Sequence, residues 1–347
     1  MSQPLNVGIL TSGGDCSGLN AVIRAVARRA EHHYGTRLFG FRDAWRGVLD
    51  ADWELVTIER CRGYLPRGGT LLGTSRVTPY HHEGGVERVR EVMGELDLAG
   101  FIVIGGNGSL SAAEELVRDG IPCVGVPKTI DNDIVGTDVS VGFDTAVHVA
   151  SAAIDRLHTT AEAHDRVLVV EVMGRHAGHI AVRAGLAGGA TITLIPEEPF
   201  DLPAICDAIV RRHERGRWAT IVCVAEGALP IEGTLPSPEY RVDAFGHQTL
   251  GGIGAAIAPE IERRTGFETR VTTLGHVQRG GTPTAFDRVL GTRFGIAAID
   301  AVHEGRWGSM VALSGDEVVT VPLAEMAGRV KTVDPEIWAA ASEFFVG

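Results

Sequence analysis

The chain has 347 residues, 44% of them hydrophobic and 22% charged, and a formal net charge of -12 at pH 7. That length supports a large core, most simply two domains. The acidic balance argues against a general nucleic-acid or anionic-membrane surface, so any bound phosphate must rely on local arginines. Five cysteines (Cys16, Cys61, Cys123, Cys206 and Cys223) are odd in number and lack CxxC spacing. That pattern suits a reduced, cytoplasmic protein without zinc or a disulfide framework. No signal peptide opens the chain, and no apolar run reaches the roughly 18 residues of a membrane span. We therefore expect neither a membrane nor a nucleic-acid partner.

Short continuous apolar runs mark strands covered on both faces. In order they are Val7-Gly8-Ile9-Leu10, Phe101-Ile102-Val103-Ile104, the run from Ile121 to Val126, Val167-Leu168-Val169-Val170, and Ile221-Val222-Cys223-Val224. Amphipathic stretches such as Gly18 to Ala30 and Leu110 to Arg118 lie between them. This rhythm predicts a doubly wound α/β fold. The segment Leu229 to His247 reads as a surface excursion.

The loops after these strands carry the chemistry. The first, Thr11-Ser12-Gly13-Gly14-Asp15-Cys16-Ser17-Gly18, could bring backbone N–H groups to a phosphate. It is neither a Walker A loop nor GxGxxG, and a plain strand-to-helix turn accounts for it equally. Gly68-Gly69-Thr70-Leu71-Leu72-Gly73-Thr74-Ser75-Arg76 ends in an arginine able to clamp a phosphate bidentately. Gly105-Gly106-Asn107-Gly108-Ser109 follows a buried strand and opens a helix, and either leaves room for a bulky ligand or makes a tight βα turn. Pro127-Lys128-Thr129-Ile130-Asp131-Asn132-Asp133 packs two carboxylates, a hydroxyl and a lysine into seven residues. A base carboxylate beside one that faces Mg²⁺ is the minimal equipment for moving a phosphoryl group onto an alcohol; the plain alternative is an Asn-Asp turn. Arg175 and His176 follow the next strand, Glu226 ends another, and Arg270, His276 and Arg279 cluster further on. The absence of GxGxxG after the first strand gives no support to a dinucleotide-binding oxidoreductase.

Taken together, Gly13-Gly14-Asp15, Gly68-Gly69-Thr70, Gly105-Gly106-Asn107-Gly108-Ser109, Thr129-Ile130-Asp131-Asn132-Asp133, Met173-Gly174-Arg175 and Leu274-Gly275-His276-Val277-Gln278-Arg279-Gly280-Gly281 resemble the bacterial 6-phosphofructokinases. The likeness runs from about Leu5 to Trp307, and Pro127-Lys128 before the acidic segment resembles the actinobacterial-type branch. The resemblance implies two Rossmann-like three-layer α/β lobes with the active site in the cleft between them. Carried over, residues 1–142 plus 278–328 form the phosphoryl-donor lobe and 143–277 plus 329–347 the sugar-phosphate lobe. The implied reaction moves the γ-phosphoryl of ATP to the 1-hydroxyl of fructose 6-phosphate, giving fructose 1,6-bisphosphate in glycolysis.

By the same resemblance Asp131 is the general base, and Thr129 and Asp133 shape the site around the hydroxyl and the metal. Arg76 and the Gly14 N–H face the transferred phosphoryl. Gly14, Asp15, Arg76, Gly106, Asn107, Gly108, Ser109 and Lys128 line the donor site, and Asn107 and Asp133 face Mg²⁺. Met173, Gly174, Arg175 and Glu226 hold the sugar, and His276 and Arg279 its phosphate. Arg166 and Arg270 match arginines that reach that phosphate from a neighbouring subunit, so a homo-oligomer, expected as a homotetramer, shares its sites.

Three departures stand out. Asn107 replaces an acid near Mg²⁺, and an amide oxygen ligates without contributing charge. Gly108 accompanies ATP use in the family, whereas Lys128 accompanies pyrophosphate use; steric exclusion is the harder to evade, which favours ATP with pyrophosphate as the alternative. Of the effector pocket, Arg24, Arg28, Arg215 and Arg217 match, but His158 and Thr191 replace an Arg and a Glu, so weak control by ADP and phosphoenolpyruvate is expected. Another acceptor such as sedoheptulose 7-phosphate, or a catalytically weak regulatory paralogue, are the remaining alternatives.

Overall fold

The structure, a computed structural model, describes residues 4–235, 241–242 and 248–345, so the excursion read at Leu229 to His247 lies partly outside the described residues. Two compact units divide the chain. Unit 1 comprises Met1–Ile130, Ile134–Thr145 and Arg279–Val330, and unit 2 comprises Asp131–Asp133, Ala146–Gln278 and Lys331–Gly347.

In chain order, unit 1 begins with β1 (Asn6–Ser12), α1 (Leu19–Arg29), β2 (Arg37–Phe41), α2 (Trp45–Leu49) and β3 (Trp53–Leu55). It continues with α3 (Gly85–Glu95), β4 (Leu98–Gly105), α4 (Asn107–Arg118) and β5 (Cys123–Pro127). Helix α5 (Phe143–His164) precedes β6 (Val167–Val172), α6 (His179–Ala187), β7 (Ile192–Leu194), α7 (Leu202–Glu214) and β8 (Thr220–Ala225). Then come β9 (Arg241–Val242), β10 (Gln248–Thr249), α8 (Ile253–Thr265) and β11 (Thr269–Thr273). Unit 1 is completed by α9 (Ala285–His303), β12 (Ser309–Ser314), β13 (Glu317–Pro322) and α10 (Leu323–Met326), and unit 2 by α11 (Pro335–Ser342).

The sheet of unit 1 runs β13-β12-β5-β4-β1-β2-β3. Its five central strands are parallel, and both edges pair antiparallel. The central strands are almost wholly buried, which explains their unbroken apolar character. Gly8 interrupts β1 because Phe101 of β4 lies across it: a Cβ there would stand 2.4 Å from the Phe101 ring. Helix α1 buries Leu19, Val22, Ile23 and Val26, a 3.6-residue repeat, and carries Arg28 and Arg29 in its last turn, where they complement the helix dipole.

The chain leaves β1 toward β2 on one side, while β4 packs on the other, so the strand order reverses at β1. Ser12 pairs with Gly105 and Gly105 with Pro127, which brings the loops after β1, β4 and β5 out side by side. The carboxyl ends of strands at such a reversal are where open α/β sheets bind ligands.

Unit 2 has a parallel sheet ordered β11-β6-β8-β7. Its core joins Val169, Ile192, Val222, Val224, Ile257 and Ile261. Glu171 pairs with Thr273 and Val172 with Ala225, so the segments after β6, β8 and β11 leave the same end of this sheet.

Candidate active site

In unit 1 three loops are laced around the turn after β1. Gly13 adopts φ +88, which glycine alone tolerates cheaply, and its N–H donates to Ser75 O at 2.9 Å. Thr74 Oγ1 donates to Gly13 O at 2.6 Å, and Thr11 Oγ1 donates to Gly73 O at 2.6 Å. These bonds tie the glycine-rich loop carrying the exposed Arg76 to the first turn. Lys128, only 2% exposed, reaches under the same turn, its Nζ donating to Ser12 O at 2.9 Å and Gly14 O at 2.5 Å. Arg279 covers the other side: its Nη1 donates to Asp15 O at 3.1 Å, and a Cβ on Gly14 would stand 2.7 Å from that nitrogen. Gly13–Gly14 is therefore a neutral floor between two cations. The neighbouring Cys16 thiol is pushed up to about 12 by burial, which leaves it protonated and inert.

The glycine run after β4 opens a helix, as its sequence suggests, and the helix begins inside the run. Gly106 is the N-cap and Asn107 already the first helical residue, so Asn107, Gly108 and Ser109 form the first turn of α4. No side chain caps that terminus, and helix N-terminal N–H groups attract anions. Ser109 Oγ donates to Ser12 Oγ at 2.9 Å, fixing this turn against β1. A Cβ on Gly105 would stand 2.3 Å from Ser109 Cβ, so packing demands that glycine, whereas a Cβ on Gly108 would meet nothing within 4 Å. Thr129 O accepts from Ser140 Oγ at 2.7 Å.

Unit 2 contains the acidic segment, with Asp131 and Asn132 buried and Asn132 in the left-handed region at φ +54. At the carboxyl end of β6, Met173 N–H donates to Gln278 Oε1 at 3.4 Å, Gly174 adopts φ +139 and Arg175 φ +53. Arg175 N–H donates to Glu226 Oε1 at 3.0 Å, which joins the ends of β6 and β8. Gly227 is required beneath this turn, because a Cβ there would stand 1.9 Å from Arg175 O. His276 is exposed on the 3₁₀ turn Gly275–Gln278 that follows β11. Met173, Gly174, Arg175, Glu226 and His276 thus sit on segments leaving the same end of one sheet.

Arg166 and Arg270 are at the other end. Arg166 precedes β6, and Arg270 pairs with Leu168 near its start. Six strand residues, about 20 Å at the usual rise, separate them from Met173. Glu268 lies 2.8 Å from Arg166 Nε and 2.5 Å from Arg270 Nη2, and Glu262 is 3.6 Å from Arg270 Nη1. Half-buried Arg166, just before β6, and exposed Arg270, on the edge strand β11, share Glu268 in one ion-pair cluster.

Of the effector-matching residues, Arg24 and Arg28 line a basic cavity with Arg29, His32 and His33. His158 Nε2 contacts Gly188 O at 2.6 Å, and Thr191 Oγ1 accepts from Ile221 N–H at 3.4 Å. Both replacements are engaged internally.

Several supporting contacts are given no role in the sequence reading. Buried Asn20 clips the Arg76 loop, donating to Arg67 O at 3.0 Å and accepting from Leu71 N–H at 2.7 Å. Ser17 Oγ donates to Gly281 O at 2.8 Å, just beyond Arg279. Buried Glu171 accepts from Gly252 and Gly254 N–H at 2.9 and 2.8 Å, a carboxylate at the start of α8.

A family model described as phosphofructokinase matches residues 6–302. The chain is 54% identical over 342 residues to the pyrophosphate--fructose 6-phosphate 1-phosphotransferase of Streptomyces coelicolor, covering 98% of this chain and 100% of that protein. It is 51% identical over 342 residues to the ATP-dependent 6-phosphofructokinase of Corynebacterium efficiens, covering 98% and 99% respectively. Among solved structures, Pichia pastoris phosphofructokinase in the T-state aligns with a TM-score of 0.82 at 30% identity over 94% of this chain and 36% of that one. The pyrophosphate-dependent phosphofructokinase of Marinobacter aquaeolei aligns with a TM-score of 0.83 over 99% of this chain and 92% of that one; at 22% identity this likeness speaks for the fold alone.

Proposed function

The chain belongs to the phosphofructokinase family, and from that premise we propose that it transfers the γ-phosphoryl of ATP to the 1-hydroxyl of fructose 6-phosphate, yielding fructose 1,6-bisphosphate for glycolysis. The observation that carries the choice of ATP is Gly108. It lies in the first turn of α4, and among the described residues nothing within 4 Å of a Cβ there requires it to be small. Its smallness is therefore available to a ligand, and a nucleotide lying across this helix start uses that space.

The donor phosphates rest on Gly13–Gly14 and the start of α4, with Asp15, Gly106, Asn107 and Ser109 around them. Arg76 and the Gly14 N–H face the transferred phosphoryl, whose charge they offset; such positioning and neutralisation supply most of the catalysis in phosphoryl transfer. Asp131 takes the proton of the 1-hydroxyl, and Thr129 orients the reacting group. Met173, Gly174, Arg175 and Glu226 hold the sugar, while His276 and Arg279 hold the 6-phosphate.

Among the described residues no group of three or more His, Cys, Asp or Glu gathers as a metal cage. Mg²⁺ seldom needs one, being held by one or two side chains together with substrate phosphates. Asp133 and the amide oxygen of Asn107 suit that role, and the ion would neutralise phosphate charge.

Arg166 and Arg270 point to a shared site. At the far end of the β6–β11 pair, they serve a neighbouring chain's 6-phosphate, in a homotetramer. Five buried cysteines, all thiols, fit a cytoplasmic enzyme. No described helix is long and apolar enough to cross a membrane.

Pyrophosphate is the second reading, favoured by buried Lys128 beneath the phosphate turn and by the Streptomyces relative's name. Initial rates of fructose 1,6-bisphosphate formation with Mg-ATP and Mg-pyrophosphate in parallel decide between them. Turnover with ATP is expected; turnover with pyrophosphate alone would transfer the donor assignment to Lys128. Silence with both would redirect the search to another acceptor sugar or a regulatory role.

A further inference from the structure

The segment after Val330 contributes to unit 2 before α11 begins, and it touches the acidic segment. Lys331 N–H donates to Asp133 O at 2.8 Å. His179, the first residue of α6, places Nε2 3.0 Å from Lys331 O; a carbonyl only accepts, so Nε2 carries the proton. Two residues on, Val333 is buried, and its N–H donates to Glu197 Oε1 at 2.9 Å. Glu197 also accepts from Gly178 N–H, at 3.0 Å to each oxygen. Gly178 is the N-cap of α6 and brings no side-chain cap, so this carboxylate from 19 residues away supplies one and gains from the helix dipole. A Cβ on Gly178 would stand 2.9 Å from Glu197 Oε2 and 2.6 Å from Ile195, so only glycine admits the carboxylate.

One side chain thus anchors both the start of α6 and a strap whose other end holds the Asp133 peptide. Asn132 at φ +54 makes the acidic segment a tight bend, so movement at Asp133 is transmitted to Asp131 two residues away. We propose that Glu197, acting with His179 through the strap Lys331–Val333, is a positioning residue for Asp131 and Asp133. The proposal rests on the catalytic roles given to those two aspartates above.

Glu197→Ala should release the strap. The Lys331 amide should then exchange with solvent faster, and kcat should fall roughly 10- to 100-fold with KM for fructose 6-phosphate nearly unchanged, as expected of a misplacement of about 1 Å. Glu197→Gln keeps an acceptor oxygen for Val333 and should recover most of the rate. Should Glu197→Ala fold poorly, His179→Leu removes the bond to Lys331 O and leaves the Gly178 cap in place; His179→Gln, which can still donate, should rescue it. Unchanged Lys331 exchange, or faster exchange with unchanged kcat, would overturn the proposal. A matching loss in the Gln variants would do the same. Asp131→Asn assayed alongside separates the two ideas: if it stays active the base assignment falls, while amide exchange and the kcat–KM split still decide the role of Glu197.

Discussion

Gly108 and His179 show how a single position can be separated from its surroundings by experiment. Aspartate at 108 would occupy open space in the first turn of α4, where an acidic residue typically gains 0.3–1 kcal/mol from the helix dipole. Gly108→Asp should therefore leave Tm unchanged or slightly raised while abolishing ATP use, with pyrophosphate retained or newly accepted. Unchanged ATP kinetics would show that the nucleotide does not lie over this turn. At His179, burial lowers the imidazole pKa to about 4, opposed by its bond to Lys331 O. Above pH 6.5 the ring is neutral whether folded or not. Between 6.5 and about 4 the unfolded chain takes up a proton that the folded chain refuses, so stability is lost as the pH is lowered, by up to about 3 kcal/mol. His179→Gln should flatten that part of the stability–pH curve, measured by urea unfolding at each pH; an identical slope would mean that the ring protonates in place.

Among the elements, the backbone crossing at Gly227 is the least forgiving. The atom a Cβ would strike is the carbonyl of Arg175, itself held at φ +53, and neither chain can yield as a flexible side chain would. Gly227→Ala should destabilise the protein by roughly 1–3 kcal/mol and raise KM for fructose 6-phosphate, since Arg175 and Glu226 move together. A normal KM in a folded variant would detach this turn from sugar binding. The same scale shows what the sequence makes legible. Four of the five continuous apolar runs fall within β1, β4, β6 and β8, and the fifth enters β5 two residues after its start at Ile121, because strands buried on both faces need little besides Val, Ile, Leu and Phe. Short β3 and half-exposed β13 lack such a signal, and β2, β7, β11 and β12 also lie outside the five runs. The glycine run at 105–109 was legible as a ligand-sized opening at the start of a helix, but the helix begins at Asn107, three residues before the amphipathic stretch from Leu110, because Gly108 is a poor helix former that only the tertiary setting admits. Glu197 was out of reach for another reason: one of its partners is Gly178 and the other is Val333, 136 residues further on, and no local pattern encodes such a bond. Asn20, spanning 51 residues to Leu71, is a milder case of the same difficulty.

At the scale of the whole molecule, the proposed role of Arg166 and Arg270 would tie chemistry to assembly. Their links to Glu268 are partly exposed pairs at the surface, worth little to folding, so removing them should spare the fold. If they act on a neighbour, the defect they leave lies in the next chain's site and not in their own. Two inactive proteins, Asp131→Asn and the double variant Arg166→Ala/Arg270→Ala, should then cure each other: on mixing, unfolding and co-refolding, some hybrid sites draw an intact aspartate from one chain and intact arginines from the other. Activity that neither parent shows would identify those sites, and persistent silence would return both arginines to a purely local role. Such interallelic rescue would make the working unit of this enzyme a pair of chains, so that a harmful allele is judged by the company it keeps.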